Sequence, residues 1–501
     1  MTGMDGSADV RGLLDEAVTF YVGRPEAARR LRAQRHRLDE PLRVALVGRV
    51  KAGKSTLLNA LVGERLAPTD AGECTRVVTW YRNGRIARVL LHRVDGARHV
   101  LPALRVDGSL RLDLGGTPPA QVDRLVVDWP AATLRGMTLV DTPGTASLTV
   151  DASARTRAFV ADDEAVGPDA LVFLTRQVQP EDVAVLAAFR AATGGAGLHT
   201  TTILVLSRAD EIGSARLDAM IAAEDVALRT AEEPAVRAMG TTVVPVAGLL
   251  GLAGRTLRQR EFVALRSLAL ADRTDVDSML LSADRFRRAE VPVPLSGAMR
   301  VSLLERFGLF GIRLSIALIR TGVGSPDDLA DELVRRSGLD HLRRLIDDRF
   351  MRRGATVRAG AALATVEQVL RRHPTPGDEV LWAQLERVRL GSHDLVELDL
   401  LARLHGPDSP LPRNTREAAA RLLGAEGPGP AERLGLPRDA AEGDLRPAAV
   451  AAAATWRNRA GDPVAPRAEV DACEILVRTA EGLLHEFDGR TSPEGTPEPV
   501  A

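Results

Sequence analysis

Lysine is almost absent from this chain of 501 residues, although lysine and arginine together number 66. The two lysines, Lys51 and Lys54, both lie in the stretch GRVKAGKST. Cysteine is also rare, and Cys74 and Cys473 lie too far apart in sequence to indicate a disulfide framework or a zinc site. Because aromatic residues make up only 3%, a core must be built mainly from Leu, Val and Ala.

A strong positive charge is absent too. The formal net charge of −1 gives no support for binding nucleic acid through bulk charge. No window reaches the roughly 18–20 uncharged apolar residues that a transmembrane helix needs, and the first residues do not have the pattern of a signal peptide. We therefore expect a cytoplasmic protein with no nucleic-acid partner, in which any membrane contact is peripheral.

Short apolar runs alternate with helical patterns from about residue 42 to about residue 250. This alternation predicts an α/β fold with a mostly parallel sheet and helices on both faces. Within it, Asp95-Gly96 separates two short runs and predicts a β-hairpin. After about residue 255 the strand signals stop, and helical spacing up to about residue 488 predicts a long all-α region.

The stretch GRVKAGKS, residues 48–55, fits G-x-x-x-x-G-K-[ST] between a predicted strand and a predicted helix. Glycines let the backbone approach phosphate groups, and backbone N–H groups at the helix start surround the anion. In this motif the lysine reaches the β- and γ-phosphates, and the Ser55 hydroxyl binds Mg²⁺. The predicted phosphate-binding residues are Gly48, Lys51, Ala52, Gly53, Lys54, Ser55 and Thr56.

This motif explains why lysine persists at position 54. A lysine ammonium is a compact charge on a flexible stem, whereas the planar fork of arginine would not fit inside the loop. For Lys51 two interpretations remain open. Its ammonium either lies near the phosphates or at a partner surface, or it is an ordinary solvated loop lysine.

Three further motifs indicate which nucleotide is bound. VDTPG at 140–144 places Asp141 after a strand, where it can hold Mg²⁺ through water, and Gly144 can donate its N–H to the γ-phosphate. LSRAD at 206–210 offers the Asp210 carboxylate to the guanine N1–H and amino groups, a donor pair that adenine lacks. The predicted base-site residues are Ser207, Arg208, Asp210 and Ala247, and the predicted ligands are GTP or GDP with Mg²⁺.

These motifs, together with the stretch GRVKAGKSTLLNALVGERLAPTDAGECTRVVTW, resemble the bacterial dynamin-like proteins, which are large GTPases of the dynamin superfamily. The resemblance implies a P-loop GTPase domain at 41–252, a helical stalk or bundle at 253–488 and a flexible tail at 489–501. It also implies that an N-terminal helical segment, 1–40, packs with the C-terminal helices. An apolar stripe near the C-terminus permits this contact, and the alternative is an ordinary core helix: Cys473, Val477, Ala480, Leu484 and Phe487.

The resemblance also implies roles in hydrolysis. Thr75 would be the switch threonine that binds Mg²⁺ with Ser55 and Asp141 or orients the attacking water, with Thr69 and Thr79 as alternatives. Fast dynamins carry glutamine where this chain has Val50, and valine cannot polarise water. We therefore expect slow turnover, assisted across a dimer interface, with Lys51 stabilising charge beside Lys54 and Thr75.

Two functions follow as expectations. In the first, GTP-dependent self-association through the GTPase domain moves the stalk and remodels membranes peripherally. In the second, the chain is a slow regulatory switch or scaffold whose helical domain binds a protein partner. The most apolar helical stretch, 305–322, offers Phe307, Leu309 and Phe310 for lipid contact, or is simply a core helix.

Overall fold

The fold is that of a computed structural model, which describes residues 3–69, 77–106, 108–144, 159, 167–192, 201–239, 241–288, 293, 295–404 and 409–490. The strands are β1 Leu42–Gly48, β2 Val78–Asn83, β3 Arg88–Arg93, β4 Arg98–Leu101, β5 Leu104–Val106, β6 Ser109–Arg111, β7 Val122–Trp129, β8 Met137–Asp141, β9 Ala170–Thr175, β10 Thr202–Ser207 and β11 Thr242–Val246. The helices of the first half are α1 Gly3–Phe20, α2 Pro25–Arg37, α3 Lys54–Val62, α4 Pro180–Ala192, α5 Ala219–Glu232, α6 Pro234–Met239 and α7 Gly248–Arg255. Those of the second half are α8 Gln259–Leu270, α9 Arg273–Met279, α10 Ala283–Arg288, α11 Gly297–Arg320, α12 Pro326–Arg336, α13 Leu339–Leu345, α14 Gly354–Arg372, α15 Glu379–Gly391, α16 His393–Leu404, α17 Arg413–Leu422, α18 Pro430–Arg433, α19 Glu442–Ala460 and α20 Arg467–Arg490.

Nine strands form one sheet in the order β11-β10-β9-β1-β8-β2-β7-β3-β4. The pairs from β11 to β8 are all parallel, and the outer pairs include antiparallel ones. Every residue of β1, β9 and β10 is buried, as expected for strands covered on both faces. The prediction of a mostly parallel sheet followed by a helical region is confirmed. The carboxyl ends of the central strands meet at one edge of the sheet, where ligands of such folds bind.

The predicted hairpin at Asp95-Gly96 is confirmed as the turn between β3 and β4. Gly96 has a φ of +86°, which glycine adopts without strain, and the Ala97 N–H donates to Asp95 Oδ1 over 3.0 Å. Of the strands that lie between β2 and β8 in the chain, β3, β4 and β7 extend the sheet outwards at the edge away from β11, and β5 and β6 pair in a separate two-stranded sheet.

The packing of the sheet continues past the predicted domain boundary at residue 252, which falls inside α7. The hydrophobic cluster on one face of the sheet includes Leu339, Leu342 and Phe350 from the helical region. Helix α7 packs on α3 and also on α11 and α12. The early helices of the second half therefore form a common body with the sheet, and a separate helical layer starts beyond them.

The first helix does not share a core with the last one, in contrast to what the resemblance implied. The buried side chains of α1 and α2 join a cluster with α14, α15 and Leu395 at the start of α16. The C-terminal stripe with Cys473, Ala480 and Phe487 packs instead against α16, α17 and α19. The reason is steric and local, because α19 is rich in alanine and allows α20 to lie closely along it. The N-terminal segment is therefore held by the middle of the helical region.

Of the two interpretations of the apolar stretch 305–322, the structure supports the core helix and not a lipid contact through Phe307 and Phe310. Phe307 is fully buried and Phe310 is 2% exposed, both in a cluster with α7 and α8, while Leu309 is partly buried against it. Among the residues that the structure describes, no helix is both long enough and apolar enough to cross a membrane.

Candidate functional site

The loop from β1 to α3 has the backbone conformation of an anion-binding loop. A Cβ at Gly48 would lie 2.3 Å from the Leu174 carbonyl oxygen of β9, so only glycine fits there. Gly53 has a φ of +92° and stands directly before α3, and Lys51 has a φ of +64°. Backbone N–H groups in such alternating conformations point into one concave space, which receives phosphate oxygens.

Lys54 lies inside this loop. Its side chain is 9% exposed, and Nζ donates to the carbonyl oxygens of Gly48 and Arg49 over 3.0 and 3.1 Å. Burial lowers the pKa of this ammonium, and the nearby Asp141 carboxyl opposes the shift. A third N–H remains on the ammonium for a phosphate oxygen. The enclosure by two carbonyl groups explains why the compact lysine head is needed here.

Ser55 and Asp141 are brought together as predicted. The Ser55 hydroxyl donates to Asp141 Oδ2 over 2.6 Å, while Asp141 Oδ1 is buried and has no hydrogen-bond partner among the described residues. Burial raises the pKa of this carboxyl, against the influence of Lys54 and Ser55. A buried carboxylate with an orphaned oxygen beside a hydroxyl is the donor set that Mg²⁺ prefers, so these residues fit the ion.

Of the switch threonines, Thr75 lies outside the described residues and stays a prediction. Thr69 is exposed and is the last described residue before position 77. Thr79 is buried in β2, directly across from Asp141 in the β2–β8 ladder, and its hydroxyl faces the Val77 carbonyl at 3.4 Å. Thr79 therefore lies on the strand next to Asp141 of the predicted metal-binding pair.

Gly144 lies directly against the phosphate loop. A Cβ at Gly144 would be 2.4 Å from Val50 Cγ2 and 2.7 Å from the Val50 nitrogen. Glycine is therefore required by this close approach as well as by any contact with a phosphate. Val50 is 48% exposed at the same place, and the side chain of Lys51 is also exposed. The two loops thus form one surface, on which Val50 presents an aliphatic side chain.

The predicted base site lies at the end of β10. Asp210 is 8% exposed, and the Ser207 hydroxyl donates to the Thr175 carbonyl over 3.2 Å, which joins β10 to β9. Arg208 has a φ of +53° and donates to Glu211 over 2.8 Å, so its guanidinium is held along the rim. The Asp210 carboxylate is therefore the hydrogen-bond acceptor at the end of β10 that is predicted to face the base.

A cavity runs from the phosphate loop to Asp210. Its lining joins residues of the phosphate loop to Ser207, Arg208 and Asp210 of the predicted base site, and it adds Glu211, Val246 and Leu249, which sequence reasoning missed. Ala247 is not among the lining residues: it is fully buried and its N–H donates to the Ser337 carbonyl over 2.9 Å, so its place in the base site stays a prediction. The lining residues are Ala52, Gly53, Thr56, Leu57, Leu174, Val205, Ser207, Arg208, Asp210, Glu211, Val246, Gly248 and Leu249.

A residue of the helical region also approaches this site. Gly308 interrupts α11 with a φ of +64°, and a Cβ there would lie 3.5 Å from Leu249 and 3.9 Å from Asp210 Oδ2. Arg313, further along the same helix, donates to the carbonyl oxygens of Ser214 and Ala215 over 3.0 and 2.6 Å. A glycine inside an apolar helical pattern was the only sequence signal for this kink.

Guanine-nucleotide binding is expected to weaken as the pH falls through about 6. Burial raises the pKa of Asp210 from 3.8 to about 6, so below that pH the nucleotide-free carboxyl gains a proton and loses an acceptor position. The affinity is expected to fall about tenfold per pH unit below this value. Titration with a fluorescent GTP analogue measures the change. Because phosphate groups also gain protons there, Asp210→Asn supplies the reference, and an equal slope in both proteins would contradict the assignment.

Three features together define a P-loop GTPase: the phosphate loop, the pair Ser55–Asp141, and Asp210 at the end of a strand. The strands inserted between β2 and β8 make this GTPase domain larger. Residues 44–99 match the family model described as "Dynamin family". The chain is 43% identical over 495 residues to the isoniazid-induced protein IniC of Mycobacterium tuberculosis, covering 97% of this chain and 100% of that protein.

Two shorter similarities involve parts of the chain. A bacterial dynamin-like protein of Nostoc punctiforme is 34% identical over 113 residues, which are 20% of this chain and 16% of that protein. The GTPase Der of Ralstonia nicotianae is 44% identical over 81 residues, which are 15% of this chain and 17% of that protein. The chain belongs to the bacterial dynamin-like proteins, in the group that contains IniC.

Proposed function

We propose that this protein binds GTP with Mg²⁺, hydrolyses it slowly, and couples GTP-dependent pairing of its GTPase domain to movement of its helical region at a membrane surface. The observation that carries the proposal is a cavity that runs from Gly53 of the phosphate loop to Asp210, with Lys54 and the hydrogen-bonded pair Ser55–Asp141 held beside that loop. The similarity to GTPase Der and to a dynamin-like protein supports the nucleotide and the reaction. We place the protein in the cytoplasm with peripheral membrane contact.

The chain's own residues have distinct roles in this proposal. Lys54 neutralises charge on the β- and γ-phosphates from inside the loop, and Gly53 contributes a backbone N–H group, whereas the Ala52 N–H already donates to the Arg49 carbonyl over 3.1 Å. Ser55 and Asp141 would hold Mg²⁺, which would offset the charge of the phosphate oxygens. Asp210 accepts hydrogen bonds from guanine, and Thr75 is proposed to orient the attacking water. In this proposal the phosphates, the metal ion and the base are each held by residues at a strand end or in the phosphate loop.

Slow turnover follows from Val50. Its side chain lies against Gly144, on the side where a γ-phosphate and the attacking water would meet, and an aliphatic group cannot orient water. This same observation favours the second candidate function, a GTP-dependent switch or scaffold whose helical region binds a protein partner. The two candidates differ in whether pairing of two chains accelerates hydrolysis.

The experiment that tests the proposal is GTP turnover per molecule over a range of protein concentrations, with ATP as the control nucleotide. Turnover that rises with concentration for GTP alone is expected if paired domains complete each other's sites. A low and constant rate with intact GTP binding would select the switch or scaffold. Absence of GTP binding, or equal turnover of ATP, would overturn the proposal.

Lys51→Ala is expected to lower the concentration-dependent part of turnover by about tenfold while GTP affinity changes little. The reason is that Lys51 is exposed on the surface next to Val50 and Gly144, where it can reach a paired chain. Turnover and nucleotide affinity should be measured on the same samples, with Arg273→Ala as an exposed control far along the chain. Unchanged binding and turnover would leave Lys51 as an ordinary loop residue.

A further inference from the structure

The backbone that follows Asp210 contains a run of left-handed residues. Gly213, Ser214 and Ala215 have φ values of +61°, +62° and +58°. Residues with a side chain visit this region mostly singly, because their Cβ then crowds the carbonyl oxygen. Such a run persists only where neighbouring groups hold it in place. Since the run begins shortly after Asp210, the groups that hold it also fix the backbone that carries this carboxylate.

A guanidinium group of the helical region contacts this run. Arg313 of α11 is half-buried, and its Nη1 donates to the carbonyl oxygens of Ser214 and Ala215 over 3.0 and 2.6 Å. Its Nη2 donates to the carbonyl oxygen of Leu280, directly after α9, over 2.5 Å. Because a guanidinium is a planar fork, these contacts fix both its position and its orientation. Arg313 therefore ties the left-handed run to two helices at once.

Helix α11 also lies against Asp210 itself. Where α11 bends at Gly308, with a φ of +64° and a ψ of 176°, an added Cβ would lie 3.9 Å from Asp210 Oδ2. This backbone conformation is open to glycine almost alone. At the other end of the segment, Ala215 packs on the buried cluster that contains Phe310 of α11. Asp210 and the run that follows it are thus both held against the same helix.

We propose that Arg313 is a positioning residue for guanine recognition, which holds the segment after Asp210 so that the carboxylate faces the N1–H and the 2-amino group of the base. In this role Arg313 acts through the backbone at 213–215 and not by contact with the nucleotide. Because coupling between two contacts is reciprocal, a bound guanine in turn stabilises the contact of α11 with this segment. The inference rests on the proposed GTP binding, but not on hydrolysis or on a membrane.

The alternative role for Arg313 is an anchor that only joins α11 to the GTPase domain. Loss of such an anchor would lower the stability of the protein, and it would weaken the binding of different purine nucleotides to the same extent. A positioning residue instead affects most the base that forms the most hydrogen bonds with Asp210. The two roles therefore differ in their effect on discrimination between bases.

The test compares the affinity of the full chain for GTP with that for inosine triphosphate, whose base keeps N1–H but lacks the 2-amino group. Wild type is expected to prefer GTP about tenfold or more, because the Asp210 carboxylate accepts one hydrogen bond more from guanine. In Arg313→Ala, affinity for GTP is expected to fall about tenfold and affinity for inosine triphosphate about threefold, so the preference shrinks. Calorimetric titration with each nucleotide and Mg²⁺ measures both affinities.

Arg320→Ala is the matched control on the same helix. Its Nε donates to the Ala269 carbonyl over 3.0 Å, so the variant also removes a guanidinium–carbonyl contact, but one made within the helical region. Both affinities are expected to stay at wild-type values. Arg313→Lys is expected to lie between wild type and Arg313→Ala, since an ammonium can donate to one of the carbonyls but lacks the planar fork that spans them. It carries the comparison if Arg313→Ala does not fold.

Three results would overturn the proposal: an unchanged preference for GTP in both Arg313 variants, an equal loss of affinity for the two nucleotides, or the same change in Arg320→Ala. Thermal unfolding of every variant is measured on the same samples, so that a loss of stability is separated from a loss of discrimination. Any of these three results would leave GTP binding by the wild-type chain standing. A wild-type chain that binds neither nucleotide would refute the proposed function and this inference together.

Discussion

Lys54→Arg is expected to weaken GTP binding about 100-fold or more, although the positive charge is retained. The lysine head lies 3.0 and 3.1 Å from two carbonyl oxygens of its own loop and is 9% exposed, which leaves no room for a planar fork. The guanidinium would have to leave the loop, and the phosphates would lose their central charge-assisted hydrogen bonds. Calorimetric titration with GTP and Mg²⁺ measures the loss.

Lys51→Arg is the matched control for this prediction. It makes the same chemical exchange three residues earlier in the same loop, at a position whose side chain is exposed. GTP affinity is expected to stay close to that of the wild-type protein. Lys51→Arg should unfold at the wild-type temperature, and Lys54→Arg at a somewhat lower one, since it gives up the two hydrogen bonds of the buried ammonium. Equal affinity of Lys54→Arg and wild type would show that charge alone is required inside the loop.

The phosphate loop, the strands and the hairpin were predictable because each depends on a short stretch of sequence. Gly48 and Gly53 fix the loop, and Asp95-Gly96 fixes the turn. The carboxyl ends of parallel strands then bring Asp141 and Asp210 to one edge without further information.

Local patterns could not predict the contacts between residues far apart in sequence. Ala247 occupies the expected strand end, but the Ser337 carbonyl takes its N–H, and no local pattern announces that partner. Phe307 and Phe310 have the same helical spacing whether they face lipid or a core. The first helix likewise carries an apolar stripe that several helices could cover. Tertiary packing decided each of these cases.

Asp210→Asn is expected to lower GTP affinity about 100-fold and to raise affinity for xanthosine triphosphate. The carboxylate accepts from N1–H and the 2-amino group of guanine, and an amide turns one acceptor into a donor. Xanthine carries a carbonyl oxygen where guanine carries its amino group, so the donor then has a partner. Burial of Asp210 makes the mismatch costly, because water cannot replace the lost hydrogen bond.

Competition between GTP and xanthosine triphosphate for the two proteins measures this exchange. Glu211→Gln is the control, because Glu211 is the next residue, also lines the cavity, and is engaged by Arg208 and Arg176 on the rim. It is expected to keep the preference for GTP. A switch in Asp210→Asn alone assigns base recognition to the buried carboxylate. A loss of both nucleotides would instead mean that Asp210 supports the strand end, since a residue that only maintains the cavity does not exchange one purine for another.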